Sequence, residues 1–160
     1  MIFVILGTQK FQLNRLLRTL DEYAGNGVIL DKIIAQVGSS DYKPTNFRCY
    51  DFLKKAEFEL YVNDADIVIC HGGVGSIMTA LRKEKPVIIF PRLAKYNEHV
   101  DDHQTEIARV FSEKEYALLY DETIDLPQLI EKALVYRFNK YLSQTDNIVN
   151  LIEEFLTSSE

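Results

Sequence analysis

Two short loops carry the residues able to do chemistry. One is Gly7-Thr8-Gln9; the other is His71-Gly72-Gly73-Val74-Gly75-Ser76. Each follows an apolar run and leads into a helical pattern. A helix N-terminus offers unpaired N–H groups and the positive end of a dipole, so it favours an anion such as phosphate. Glycine lets a ligand approach the backbone and tolerates positive φ. Thr8 and Ser76 can cap a helix or donate to a phosphate oxygen. Neither loop is a P-loop, because no Gly-Lys-Ser/Thr follows. The G-x-G-x-x-G dinucleotide fingerprint also fails: Gly73 and Gly75 supply its first two glycines, but Met78 holds the third position. From the residues alone, the second loop is either a phosphate cradle or a tight turn.

Other clusters are weaker. "HVDDH" (99–103) sets His99 and His103 four apart, a spacing that would put both on one helix face and within reach of zinc. The metalloprotease pattern needs Glu after the first His, and Val100 stands there, so no metal site is expected. "DAD" (64–66) has D-x-D metal spacing, but it precedes an apolar run instead of following one and reads as a cap. His71 ends a strand-like run; a base, a phosphate donor and a structural link between loops are all open to it. No G-x-S-x-G elbow is present, so hydrolase chemistry lacks its nucleophile. Cys49 and Cys70 fall in apolar segments without a C-x-x-C pair and read as buried, reduced thiols.

The elements that must position these loops alternate. Apolar runs at 2–6, 32–38, 47–52, 66–70, 86–90 and 116–120 read as strands. Helical spacing connects Leu13, Leu16, Leu17, Leu20 and Ala24, and helices are expected near 56–63, 75–83 and 101–112. Two amphipathic helices close the chain, one with Leu126, Leu129, Ile130, Ala133 and Leu134, the other with Ile148, Leu151, Ile152 and Phe155. Most of the strands are continuous apolar runs, which requires burial on both faces. The fold class is therefore α/β, a Rossmann-like parallel sheet with helices on both faces. Ligands of such sheets bind beyond the carboxyl ends of the strands, which singles out the loops after residues 6, 70 and 90.

A chain of 160 residues that is 47% apolar can bury one domain's core. Its net charge of −6 argues against generic nucleic-acid binding. The apolar opening, Met1–Leu6, is too short for a membrane span or a signal peptide, so a cytoplasmic location is expected.

The segment "HGGVGSIMTALRKEKPVIIFPR…DDHQ" (71–104) resembles the nucleotide-sugar-binding half of glycosyltransferase family 28 proteins. "IFVILGTQKFQLNRLL" (2–17) is similar to the opening of the family's small single-domain members, and "VGSIMTAL" with "EHVDDHQ" looks most like their bacterial capsule branch. The resemblance implies one half of a GT-B glycosyltransferase, spanning 1–160 as a single donor-binding domain with C-terminal helices at about 126–157. It implies a UDP-sugar donor, a membrane-anchored subunit carrying the acceptor site, and a lipid-linked saccharide acceptor. The chain would then lie at the cytoplasmic membrane through that partner. Transfer would be inverting, with β-1,4-galactosyl transfer in capsule or exopolysaccharide synthesis as the first expectation. A UDP-sugar epimerase-like enzyme and a non-catalytic nucleotide-binding subunit are the alternatives.

By the same resemblance, Gly72, Gly73, Val74, Gly75 and Ser76 hold nucleotide and phosphates. Gly7, Thr8 and Gln9 face the diphosphate, and His103 and Gln104 reach the ribose or sugar. Arg92, just after the strand at 86–90, is a further candidate contact to the donor sugar or diphosphate, or else a solvated loop residue. Metal and cofactor are not implied, and the general base is expected on the acceptor half, with His71 the one candidate on this chain. Thr79, also expected to bind the donor, stands where many members carry a ribose-binding Glu; it can make one hydrogen bond but not accept two, so ribose binding is either weaker or carried by Glu98 or Gln104. Val149 and Leu156, beside the last helix's stripe, are expected to dock the partner.

Overall fold

Ile2–Ile5 can be buried only if both its faces are covered, and that requirement sets the architecture. These residues form β1 of a computed structural model that describes residues 1–142. β1 pairs in parallel with β2 (Ile33–Gln36) on one side and β4 (Ile67–Cys70) on the other, so that Val4 lies between Ala35 and Ile69. β3 (Arg48–Tyr50), β5 (Val87–Ile89) and β6 (Leu118–Leu119) complete a six-stranded parallel sheet in the order β3-β2-β1-β4-β5-β6. The chain builds outward from β1 to β3, returns to β4 beside β1, and builds outward the other way. The reversal therefore falls between β1 and β4.

Side chains of β1 alternate between two cores. Ile2 and Val4 join Leu16, Leu17 and Leu20 of α1 (Asn14–Gly25) and Leu129, Ile130 and Ala133 of α5 (Leu126–Val135). Phe3 and Ile5 join Val62 of α2 (Lys55–Asp64), Ile77 and Ala80 of α3 (Val74–Leu81) and Ala108 of α4 (His103–Glu113). The helical spacing of Leu13, Leu16, Leu17 and Leu20 is thus the stripe that covers one face. Pro127 in the first turn of α5 removes no helix hydrogen bond.

The expected strands are all present but shorter at their ends. β3 keeps three residues because it is an edge strand with Arg48 in solvent, and β6 is trimmed likewise at the opposite edge. α4 starts at His103 instead of residue 101, preceded by a 3-10 turn at Ala94–Tyr96. Among the described residues no helix is long and apolar enough to cross a membrane. The stripe at 148–155 and its neighbours Val149 and Leu156 lie outside the described residues.

Candidate functional site

The loops after β1 and β4 meet at the sheet's reversal point, where open α/β sheets bind ligands. Together with the loop entering α4 they enclose a cleft of about 920 Å³. Gly7, Thr8, Gln9, His71, Gly72, Gly73, Val74, Gly75, Ser76, His103 and Gln104 all line it, as the sequence led us to expect. Lys10, Phe11, His99 and Ile107 line it too and were missed. Lys10 and Phe11 directly continue the Gly7-Thr8-Gln9 loop, so contiguity was the available signal. Among the described residues no Asp or Glu lines this cleft, although the whole chain has 24 of them. A second cleft of about 430 Å³, beyond β5 and β6, contrasts with it: Asp102, Glu106, Asp121 and Glu122 share its wall with Arg15, Lys95 and Arg109.

At the start of α3 the N–H groups of Val74 and Gly75 have no acceptor among the described residues, while Ser76 N–H turns back to Gly73 O at 3.1 Å. Free amides at the positive end of a helix suit an anion. The start of α1 does not line the cleft. Leu13 N–H donates to Ser40 Oγ at 3.0 Å, and Asn14 N–H donates to Gln12 Oε1 at 2.7 Å. Of the two helix starts, only that of α3 therefore presents free amides to this cleft, which Thr8, Gln9 and Lys10 line from the first loop.

The glycines serve a purpose other than ligand approach. A Cβ on Gly73 would lie 1.9 Å from His71 Cε1, and one on Gly7 would lie 2.1 Å from His71 Nε2. Gly7 also has φ +75°, which a side chain resists. A Cβ on Gly72 would lie 2.5 Å from Gln104 Cβ. Gly7 and Gly73 are the two walls of a slot for the His71 ring, and Gly72 lets Gln104 pack. Among the glycines of the two loops, only at Gly75 does the added Cβ meet nothing within 4 Å.

His71 is 8% exposed, and its Nδ1 accepts the Gly73 N–H at 2.6 Å. The ring proton is thereby placed on Nε2. Burial, with Arg92 and His99 adding to it, pulls the imidazole from 6.5 down to about 3, so it is neutral at physiological pH. Its lone pair is occupied and its basicity is low, so of the roles left open to His71 the geometry favours a structural link or a donor over a general base. It links the two loops and retains one N–H donor. Cys70, just before it, is fully buried, and burial pushes its thiol well above the usual range.

Gln104 is 3% exposed, and its Oε1 accepts N–H bonds from Gly72 (3.1 Å) and Arg92 (3.2 Å). It thus ties together the loops that follow β4 and β5. Arg92 does not line the cleft and is not a donor contact. It is 1% exposed, beneath the first loop, where Nη2 donates to Leu6 O (2.6 Å) and Phe11 O (3.0 Å) and Nε to Gln12 O (3.3 Å). Burial lowers its pKa to about 10, so the guanidinium stays charged under that loop.

Glu98 is not a ribose ligand. It is 1% exposed, paired with Arg15 through Oε1 (3.1 Å to Nε) and Oε2 (2.9 Å to Nη2), and it accepts Leu93 N–H at 3.0 Å. Thr79 sits one turn into α3, away from the cleft lining, and its hydroxyl donates to Gly75 O at 2.7 Å. The one donor of Thr79 is thereby engaged on its own helix.

His99 and His103 do not share a helix face, since α4 begins at His103. They meet through Asp101 instead. Asp101 Oδ1 lies 3.2 Å from His99 Nδ1 and is hydrogen-bonded to His103 Nδ1. His103 holds the Asp101 carboxyl below the usual carboxylate range.

This cleft and the doubly wound sheet beneath it define an α/β domain of the nucleotide-binding type, with an anion-friendly pocket where the strand order reverses. Residues 1–155 match the glycosyltransferase family 28 C-terminal domain, and the chain belongs to that family. Over 109 residues it is 25% identical to the UDP-N-acetylglucosamine transferase subunit ALG13 of Candida albicans, covering 68% of this chain and 36% of that protein. Over 64 residues it is 39% identical to the same-named subunit of Cryptococcus neoformans, covering 39% of this chain and 30% of the other. The chain thus spans about a third of the length of these curated relatives. Among solved structures, the glycosyltransferase SnogD from Streptomyces nogalater superposes with a TM-score of 0.59 at 18% identity, over 84% of this chain and 34% of that one. The glycotransferase of kitacinnamycin gives 0.58 at 21% identity, over the same shares. These likenesses concern the fold, which is the Rossmann-like half of a GT-B enzyme.

Proposed function

We propose that this chain is the donor-binding, catalytic subunit of a UDP-sugar-dependent inverting glycosyltransferase. A membrane-anchored partner would supply the acceptor site, and the acceptor would be a lipid-linked saccharide. The observation that carries this reading is the charge of the cleft: free amides of Val74 and Gly75, Ser76, Thr8 and Lys10 surround a space that no carboxylate of the described residues lines. In a chain with net charge −6, such a space suits a diphosphate.

In the proposed reaction an acceptor hydroxyl attacks the sugar's anomeric carbon opposite the diphosphate. The bond to the diphosphate oxygen breaks, UDP departs with the electron pair, and the hydroxyl proton goes to a base. The α3 amides, the Ser76 hydroxyl and Lys10 stabilise the charge that grows on the departing diphosphate. His103 and Gln104 lie on the wall assigned to the sugar. Every group assigned to the diphosphate donates hydrogen bonds, and His71 has no lone pair to spare, so the base is assigned to the partner half. The partner also brings the chain to the cytoplasmic face of the membrane.

Galactose, in a β-1,4 linkage of a capsule or exopolysaccharide, is our first assignment for the donor sugar. The relatives' names favour N-acetylglucosamine as the second. A thermal-shift panel of UDP, UDP-galactose and UDP-N-acetylglucosamine in EDTA tests the donor assignment. A ligand at 100 times its Kd should add about 2.7 kcal/mol of stability. Absence of any UDP-dependent shift would refute the reading. Transfer to a lipid-linked acceptor should then require co-expression with the membrane partner.

A further inference from the structure

We propose that His99, Asp101 and His103 form a binding site for a divalent transition-metal ion of the zinc class, at the edge of the cleft that the two histidines line. Two of the chain's three histidines converge here on one carboxylate, and the three candidate ligand atoms all lie within 4.8 Å of one another. Zinc bonds to imidazole nitrogen and carboxylate oxygen at about 2.0–2.2 Å, which separates neighbouring ligands of a tetrahedral site by about 3.3 Å. His99 Nδ1 and Asp101 Oδ1 already stand 3.2 Å apart. His103 Nδ1, now hydrogen-bonded to the same oxygen, needs only to draw back to admit the ion.

Neighbouring side chains fix the backbone on either side of these ligands, and Asp101 Oδ1 itself accepts the His103 N–H at 3.2 Å. Glu98 is buried on Arg15 and the Leu93 N–H, Asp102 accepts the Ala94 N–H at 2.7 Å, and Gln104 is buried on Gly72 and Arg92. Anchors at 98, 102 and 104 thus flank ligands at 99, 101 and 103. The His99 ring is fixed further by packing on Phe11, with centroids 4.4 Å apart and a side chain 8% exposed. Two imidazoles and one carboxylate suit Zn²⁺, Co²⁺ or Ni²⁺, whereas Mg²⁺ and Ca²⁺ prefer all-oxygen sites. Three protein ligands leave an open position, as catalytic zinc sites do. His99 and His103 both line the cleft, so an ion here sits at its wall.

This inference goes beyond the donor assignment and does not rest on it. The untagged full chain is titrated with Zn²⁺ alone against a chromophoric chelator, beside Asp101→Asn, His99→Gln and a Cys49→Ser control. We expect one equivalent bound by the parent chain and by Cys49→Ser, at least tenfold weaker binding by the other two, and no competition from Mg²⁺. Melting curves in EDTA establish that each variant is folded. No stoichiometric Zn²⁺ uptake by the parent chain, or unchanged uptake by folded Asp101→Asn and His99→Gln, would overturn the site. UDP binding in EDTA is a separate readout, so failure of the metal site leaves the donor assignment standing.

Discussion

Replacing Gly73 and Gly75, one at a time, by alanine separates the two reasons a loop can be rich in glycine. At Gly73 the new Cβ would sit 1.9 Å from His71 Cε1, so the imidazole must leave its slot. Overpacking of that kind costs about 1–3 kcal/mol. The displaced ring also gives up its bond from the Gly73 N–H, worth about 1 kcal/mol. Gly73→Ala should therefore lose about 2–4 kcal/mol, with UDP binding reduced because the cleft wall moves. Gly75 is the second residue of α3 and its Cβ would meet nothing. Ala is favoured over Gly inside a helix by up to about 1 kcal/mol, so Gly75→Ala should match or exceed the parent in stability. It should also keep UDP affinity within about threefold, or 0.7 kcal/mol, because the amide and not the bare Cα is the proposed contact. Denaturant melts and UDP titrations of both variants test this. A Gly73→Ala/His71→Ala double variant should be less destabilised than the two single changes predict, by about 1 kcal/mol or more. A stable Gly73→Ala chain together with a Gly75→Ala chain that no longer binds UDP would reverse the assignment.

Three other outcomes follow from the same geometry. Gln104→Ala leaves the buried N–H groups of Gly72 and Arg92 unpaired, so it should cost about 2–4 kcal/mol in a denaturant melt; a change below about 1 kcal/mol would mean that the two loops are joined by other contacts. Lys10→Ala should weaken UDP by up to about fivefold and uridine hardly at all, and the difference should fade as salt is raised; equal losses for both ligands would remove Lys10 from the diphosphate. His71 titrates near 3 when folded against an ordinary value of 6.5, so between those values the unfolded chain binds the extra proton and stability falls as pH drops. The loss through this group is at most about 1.4 kcal/mol per pH unit, it begins below about pH 6.5, and a His71→Gln chain with the same pH slope as the parent would refute it.

The sheet was legible in the sequence because burial on both faces leaves a strong mark. Ile2–Ile5 and Ile67–Cys70 are unbroken apolar runs, and all eight of these residues are buried. The cleft was legible as far as it is contiguous: Gly7-Thr8-Gln9 and His71 to Ser76 are both on its wall. What could not be read was the division of labour among polar residues distant in sequence. Glu98 and Arg15 are 83 residues apart, and Arg92 and Leu6 are 86 apart, yet each pair is hydrogen-bonded. A carboxylate near a suspected ribose site and an arginine near a suspected phosphate site look alike whether they face a ligand or the core. Burial decides between these, and burial of a charged side chain depends on partners supplied by other loops. The glycines show the same limit. Their number signalled close approach, but what approaches Gly7 and Gly73 is the His71 ring, packed between two loops whose strands, β1 and β4, are neighbours only because the strand order reverses there. Backbone spacing can announce that a slot exists; the identity of its occupant is settled by topology.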